Sequence, residues 1–142
     1  MHALSGGCHC GNLRITMMLS REARSYQPRA CDCDFCRMHG AAYVSDPKGS
    51  LVVRIKAAAD RGSYRQGSSQ ADLVYCRRCG VLVGALYEEA ARIYATVNSR
   101  IIEGATPFGA EQTASPKTLS GDQKATRWRE LWFSDVSVVV DA

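Results

Sequence analysis

The chain lacks the features that mark exported, membrane-spanning and nucleic-acid-binding proteins. No apolar run approaches the roughly 20 residues that cross a bilayer, and the opening MHALSGGCHCG has no basic segment followed by an apolar one. The net charge of +4 comes mainly from scattered arginines, without the basic stripe that is typical of nucleic-acid binders. We therefore expect a cytoplasmic protein with no membrane partner, and nucleic acid is not a favoured partner.

The number of cysteines is odd, which does not fit a framework of disulfides. The chain has seven cysteines in 142 residues, whereas a disulfide framework would need an even number and an export signal. In a reducing compartment, clustered thiolates are more typical of metal ligands than of disulfides. The spacing of the cysteines therefore decides what they do.

The apolar patterning predicts a mainly β protein with little helix. Short β-branched segments bounded by turn residues predict strands at 13–19, 51–57, 71–76, 79–87, 91–98 and 135–142. A helix is predicted at 123–132, where Trp128 and Trp132 are interpreted as core residues, with a cover over a ligand as the alternative. The stretch 104–126 predicts an irregular loop. The length is that of one domain, which we expect to span residues 1–142.

Two of the three cysteine groups are pairs. The two residues between Cys76 and Cys79 allow both sulfur atoms to face one ion, and Gly80 permits a positive φ at the tight turn. Cys8 and Cys10 flank one residue, so in an extended strand they point to the same face and His9 points to the other. His9 is therefore not predicted to be a ligand.

The third group, CDCDFC, holds three cysteines in six residues. Cys31 and Cys33 share a face, and Cys33 and Cys36 form a second CxxC pair, so all three thiolates can reach one ion while Asp32 turns away. Seven cysteines thus divide into four and three. Structural zinc sites have four ligands, whereas catalytic sites keep an open position for water or substrate. The group of three predicts a zinc site with an open position.

Neighbouring residues leave an alternative for this site. His39, Asp34 or a neighbouring chain can supply a fourth ligand, which would make the site purely structural. Arg37 follows the last cysteine directly, and it either offsets the negative charge of the three thiolates or is simply solvated.

The three motifs resemble those of a known family. GGCHCG, C-x-C-x-x-C-R and YCRRCG resemble the glutathione-dependent formaldehyde-activating enzyme family, which includes the centromere protein V type of domain, over about residues 4–98. The resemblance implies a β-tent fold, in which strand-rich sheets flank the zinc sites. It assigns a structural zinc to Cys8, Cys10, Cys76 and Cys79. It assigns a catalytic zinc to Cys31, Cys33 and Cys36.

The resemblance also implies an activity. In the family's reaction, glutathione and formaldehyde condense to S-hydroxymethylglutathione, a carbon–sulfur lyase chemistry in which the three-cysteine zinc would activate the thiol. Family members commonly carry serine where this chain has Asp34. The alternatives are a non-catalytic, zinc-stapled binding module for a protein or nucleic acid, and thiol redox chemistry, which would need a cysteine outside both sites. The oligomeric state is left open.

Overall fold

Two β-sheets form the framework of the structure, a computed structural model that describes residues 1–104 and 107–141. The four-stranded sheet has the order β1 (His2–Gly7), β2 (Leu13–Leu19), β5 (Ser50–Ile55) and β11 (Val136–Val140). The seven-stranded sheet has the order β10 (Gln112–Ala114), β3 (Arg29–Cys31), β4 (Ala42–Val44), β9 (Arg92–Asn98), β8 (Leu82–Glu89), β7 (Asp72–Cys76) and β6 (Arg61–Tyr64). The prediction of a mainly β fold is confirmed.

Short helices connect these strands. The two α-helices within the described ranges are α1 (Asp34–His39) and α2 (Gly121–Leu131). Four single-turn 3-10 helices lie at Ala23–Ser25, Ala58–Asp60, Ser99–Ile101 and Pro116–Thr118. None of the helices in the described part has the length and apolarity to cross a membrane.

The main core lies between the two sheets. Strand β2 alternates as the period of two requires, with Leu13, Ile15, Met17 and Leu19 buried. These side chains pack in one cluster with apolar residues of β5, β7, β8 and β9. Phe133, which precedes β11, is fully buried in the same cluster. Neighbouring strands run antiparallel, except that β11 is parallel to β5 and β10 is parallel to β3.

The prediction of an irregular loop over 104–126 is wrong for the residues that the structure describes. The segment contains β10, the 3-10 turn at Pro116–Thr118 and the first turns of α2, while residues 105 and 106 lie outside the described ranges. Helix α2 begins early because Ser120 caps it. The Ser120 hydroxyl accepts a hydrogen bond from the Gln123 backbone N–H at 3.1 Å, and Gln123 Oε1 accepts one from the Ser120 N–H at 2.8 Å.

A buried carboxylate joins the segments that follow β2 and β4, one strand from each sheet. Asp46 follows β4 and is 3% exposed, and its Oδ2 accepts hydrogen bonds from the Ser20 N–H (2.8 Å), the Ser20 hydroxyl (2.6 Å) and the Tyr26 hydroxyl (2.6 Å). Its Oδ1 accepts one from the Lys48 N–H at 2.9 Å. Burial opposes ionisation of Asp46, but these donors outweigh it and lower its pKa to about 2.

An Asp46→Asn variant should lose about 2 kcal/mol of folding free energy at neutral pH, because an amide cannot accept all four donors. The folded-state pKa lies below the unfolded value of about 4, so this contribution is complete above about pH 4 and is lost as the pH falls through about 2. Urea unfolding at neutral pH measures the difference. Asp135→Asn, at an exposed position, is the matched control, and equal losses in both variants would contradict the role of the network.

Candidate metal centres and the adjoining cavity

The first candidate centre brings together four cysteines from two distant parts of the chain. The Sγ atoms of Cys8, Cys10, Cys76 and Cys79 all lie within 4.8 Å of one another. The Cys10 Sγ is 3.7 Å from that of Cys8 and 3.5 Å from that of Cys76. Four thiolates around a tetrahedral ion at about 2.3 Å would be about 3.8 Å apart. The group therefore fits a four-coordinate metal.

Tight turns, and not an extended strand, position the first pair. Cys8 follows β1 directly and Cys10 lies in the turn before β2, so the predicted strand geometry at 8–10 is wrong. The turn is closed because the Cys8 N–H donates to the Leu13 carbonyl at 2.9 Å and the Gly11 N–H donates to the Cys8 carbonyl at 3.2 Å. The Leu13 N–H also donates to Cys8 Sγ at 3.2 Å. His9 is exposed and does not join the group.

The second pair lies in the turn between β7 and β8. Gly80 has a φ of +82°, as predicted, and its N–H donates to the Cys76 carbonyl at 2.8 Å. Burial opposes ionisation of Cys79, but the backbone N–H groups of Cys10 and Val81 and the neighbouring thiols outweigh it and lower the pKa of Cys79 to about 6. These donors favour the thiolate, which is the form that binds metals.

The second candidate centre consists of Cys31, Cys33 and Cys36, whose Sγ atoms also lie within 4.8 Å of one another. Cys31 ends β3, Cys33 caps the N-terminus of α1 and Cys36 lies in its first turns. The Cys33 Sγ accepts a hydrogen bond from the Cys36 N–H at 3.4 Å. The strand end and the helix start thus aim all three sulfur atoms at one point.

Hydrogen bonds within this group give its thiols different pKa values. The thiol of Cys36 donates to Cys31 and, with the N–H and thiol of Cys33, lowers the pKa of Cys31 to about 6 against the effect of burial. The same hydrogen bond, together with burial, raises the pKa of Cys36. Burial and the adjacent Cys36 raise the pKa of Tyr43, whose hydroxyl lies 3.2 Å from Cys36 Sγ. Tyr43 therefore keeps its proton, and its hydroxyl can donate to that sulfur when Cys36 is a thiolate.

No fourth protein ligand joins these three cysteines within the described residues. His39 packs against Phe35 with ring centroids 4.6 Å apart, and Asp34 faces Arg37, with Oδ1 and Nη2 3.4 Å apart. The Arg37 and Asp34 side chains are both exposed, so Arg37 is solvated and does not offset the thiolates. The group of three fits a metal that keeps an open coordination position.

A cavity of about 230 Å³ opens onto the three-cysteine group. Trp128 and Trp132, stacked at 5.0 Å, form part of its wall. Trp132 is buried, and both rings pack in a second apolar cluster that includes Leu73 and Tyr87, which confirms the interpretation of this pair as core residues. The wall also includes Leu73 and Ala85.

Among the residues that the structure describes, four cationic side chains line the cavity, and no aspartate or glutamate does. They are Arg29, Lys117, Lys124 and Arg127. No motif in the sequence predicts any of these four side chains. Arg29 could have been found, because it lies two residues before Cys31 on β3 and so points to the same face. Lys117 and Lys124 lie in the segment 104–126, for which the sequence predicts a loop. Arg127 lies in the predicted helix, whose sequence carries no motif. Burial, and then the charge of Arg127, lower the pKa of Arg29 to about 10.

The chain is similar in sequence and structure to a protein of known structure. No family model matches the chain. A Rhodobacter sphaeroides protein, solved by crystallography as a Northeast Structural Genomics target, is 31% identical over 72% of this chain and 91% of its own length, with a TM-score of 0.53. That level of identity, over nearly the whole of the solved protein, indicates common ancestry. The chain belongs to the same family as this Rhodobacter sphaeroides protein.

Proposed function

We propose that the protein is a zinc-dependent enzyme of the carbon–sulfur lyase type, which joins glutathione or a similar thiol to formaldehyde or another small carbonyl compound. The observation that carries this proposal is the group of Cys31, Cys33 and Cys36, which lacks a fourth ligand among the described residues and opens onto a cavity. A purely structural site would be closed by four ligands, as the other group is.

The choice of zinc rests on the chemistry of the donors. Both groups offer only thiolates, which are soft ligands, and tetrahedral sulfur coordination is typical of zinc. Zinc at the three-cysteine site would keep a bound thiol in the thiolate form at neutral pH.

The side chains around the site have separate tasks in this proposal. Tyr43 and the Cys36 N–H donate to ligand sulfur atoms and so fix their positions. Trp128, Trp132 and Leu73 give the cavity an apolar wall that excludes water from the reacting atoms. The cavity holds the thiol beside the site, which removes part of the entropy loss of a bimolecular reaction.

The reaction is balanced without a redox partner. A sulfur lone pair forms the new carbon–sulfur bond, and the carbonyl π electrons move to the oxygen. That oxygen takes up one proton from water, and the thiol loses one to solvent.

Calorimetric titration of glutathione into zinc-loaded protein tests the proposal. We expect binding of one glutathione per chain, and much weaker binding by Cys33→Ser, because two thiolates hold the metal too weakly to bind the thiol. Met38→Ser is the control, since it makes a similar change on the same helix at a side chain that is 80% exposed. Consumption of formaldehyde in the presence of glutathione should follow the same pattern.

Two results would contradict the proposal. One is full formaldehyde consumption by Cys33→Ser. The other is a protein that carries both metals and binds neither glutathione nor another small thiol, which would favour a zinc-stapled binding module instead.

A further inference from the structure

Arg29 is held at the cavity wall by groups that carry no charge. Its Nη2 donates to the Ser45 hydroxyl at 2.8 Å and to the Thr96 hydroxyl at 3.2 Å. Each hydroxyl donates its own proton to a backbone carbonyl, that of Leu131 at 2.7 Å and that of Val44 at 3.1 Å. Both hydroxyls are therefore fixed as acceptors towards Arg29, and the guanidinium is rigid before any ligand arrives.

The guanidinium keeps unused donors. Both hydrogen bonds come from Nη2, whereas an arginine has five N–H donors. Within residues 1–104 and 107–141, no carboxylate lies within 4 Å of Arg29. A partly buried cation without an anionic partner is unfavourable in the free protein.

Arg127 places a second cation beside the first. Arg29 and Arg127 line both the cavity at the three-cysteine group and an adjoining cavity of about 260 Å³, which otherwise lies along residues 112–119. Arg127 likewise has no carboxylate within 4 Å in the described part of the chain. Two positive charges that line the same two cavities repel each other, and an anion bound between them would offset this repulsion.

These cations do not simply neutralise the cysteine group. The side-chain nitrogen that contacts a sulfur of this group in the described structure is Gln66 Nε2, at 3.9 Å from Cys33 Sγ. Arg29 instead donates to Ser45 and Thr96, and Lys117 lies 3.9 Å from Asp32, which turns away from the sulfurs to accept from Ser115 at 2.5 Å. Arg29 lines the cavity, and its hydrogen bonds to the hydroxyls of Ser45 and Thr96 leave other N–H donors for a ligand there.

We propose that Arg29 and Arg127 form an anion subsite, which binds a carboxylate of the thiol ligand while its sulfur reaches the three-cysteine centre. The proposal deepens, and rests on, the proposed thiol chemistry, and it assigns the substrate class: a thiol with a carboxylate several bonds from the sulfur. Lys124 and Lys117 line the same cavity and add to its positive potential. A guanidinium suits this task because its planar fork matches a carboxylate.

The test compares two ligands and four proteins by calorimetry at low ionic strength. Glutathione carries both the thiol and the carboxylates, whereas S-methylglutathione keeps the carboxylates but has no ionisable thiol. The proteins are the zinc-loaded wild type, Arg127→Gln, Arg129→Gln and Cys33→Ser. Arg129 is the matched control because it lies two residues on along α2 and faces Glu89 at 3.4 Å, outside the cavity lining.

Arg127→Gln should weaken both ligands about 10- to 100-fold, the usual effect of one charge-assisted contact. Arg129→Gln should bind both as the wild type does. Cys33→Ser should lose the advantage of glutathione over S-methylglutathione and keep the weaker affinity for S-methylglutathione. Removing Arg127 should also leave the melting temperature unchanged or raise it, because it relieves a like-charge contact.

Failure of the subsite and failure of the thiol chemistry give different results. Unchanged affinities in Arg127→Gln would overturn the subsite, even if glutathione binding depends on Cys33. Equal affinities of the wild type for glutathione and S-methylglutathione, both weakened in Arg127→Gln, would support the subsite and overturn the thiol chemistry. Failure of the wild type to bind either ligand would overturn both.

Discussion

A Cys76→Ser variant should fail to fold. Cys76 has no exposed surface and ends β7 in the seven-stranded sheet. Its Sγ lies 3.5 Å from that of Cys10, which lies in the turn between β1 and β2 of the four-stranded sheet. A metal held by these four cysteines would fix the two sheets to each other across 66 residues of chain. Structural zinc contributes about 10–16 kcal/mol to folding, which equals or exceeds the whole stability of a typical domain.

Circular dichroism and metal content measure this effect. We expect Cys76→Ser to lose the cooperative thermal transition and to retain less than one zinc per chain. Cys33→Ser makes the same chemical change in the other group and should keep the transition with one zinc bound. A Cys76→Ser protein that melts within a few degrees of the wild type would show that the four-cysteine group does not hold the sheets together.

Stepwise removal of metal from the wild type should occur in two phases with different consequences. The three-cysteine centre offers fewer ligands and opens onto a cavity, so its metal should leave first and remove the advantage of glutathione over S-methylglutathione without loss of strand structure. The metal of the four-cysteine centre should leave later, together with unfolding, because Cys8 and Cys76 are buried at 3% and 0% exposure.

A coloured chelator makes both phases visible. Its absorbance reports each metal released, while circular dichroism of the same sample reports the fold. Release of both metals in one phase, with simultaneous unfolding, would contradict the division into a structural and a catalytic centre.

The sequence predicts most of the long strands because their signal is local, but it does not predict β1 (His2–Gly7), whose sequence HALSGG contains two glycines and no β-branched residue. The strand predicted at 13–19 from its alternating pattern has the same bounds as β2. The helix predicted at 123–132 corresponds to α2 (Gly121–Leu131). The three-residue strands β3, β4 and β10 carry too few residues for any period to appear. Their pairing depends on partners elsewhere in the chain, which a local pattern does not contain.

The candidate site is predictable to the same degree. The spacing of the cysteines identifies the thiols and divides them into four and three, because ligands of one ion must be close in space and several are close in sequence. The residues that line the cavity cannot be identified from sequence spacing in this way. Arg127 and Trp128 reach it because α2 packs against the seven-stranded sheet, a tertiary arrangement that no spacing in the C-terminal third reveals.

The parallel pairing of β10 with β3 has an evolutionary consequence. It places Ala114 opposite Cys31 and so brings the segment after residue 107, which has no cysteine, to the edge of the metal centre. The cysteines that could hold the ions and three of the four cations that line the cavity therefore occupy separate stretches of the gene. If the proposed function holds, mutations in the C-terminal stretch would redirect the protein to a new thiol while the cysteines stay the same.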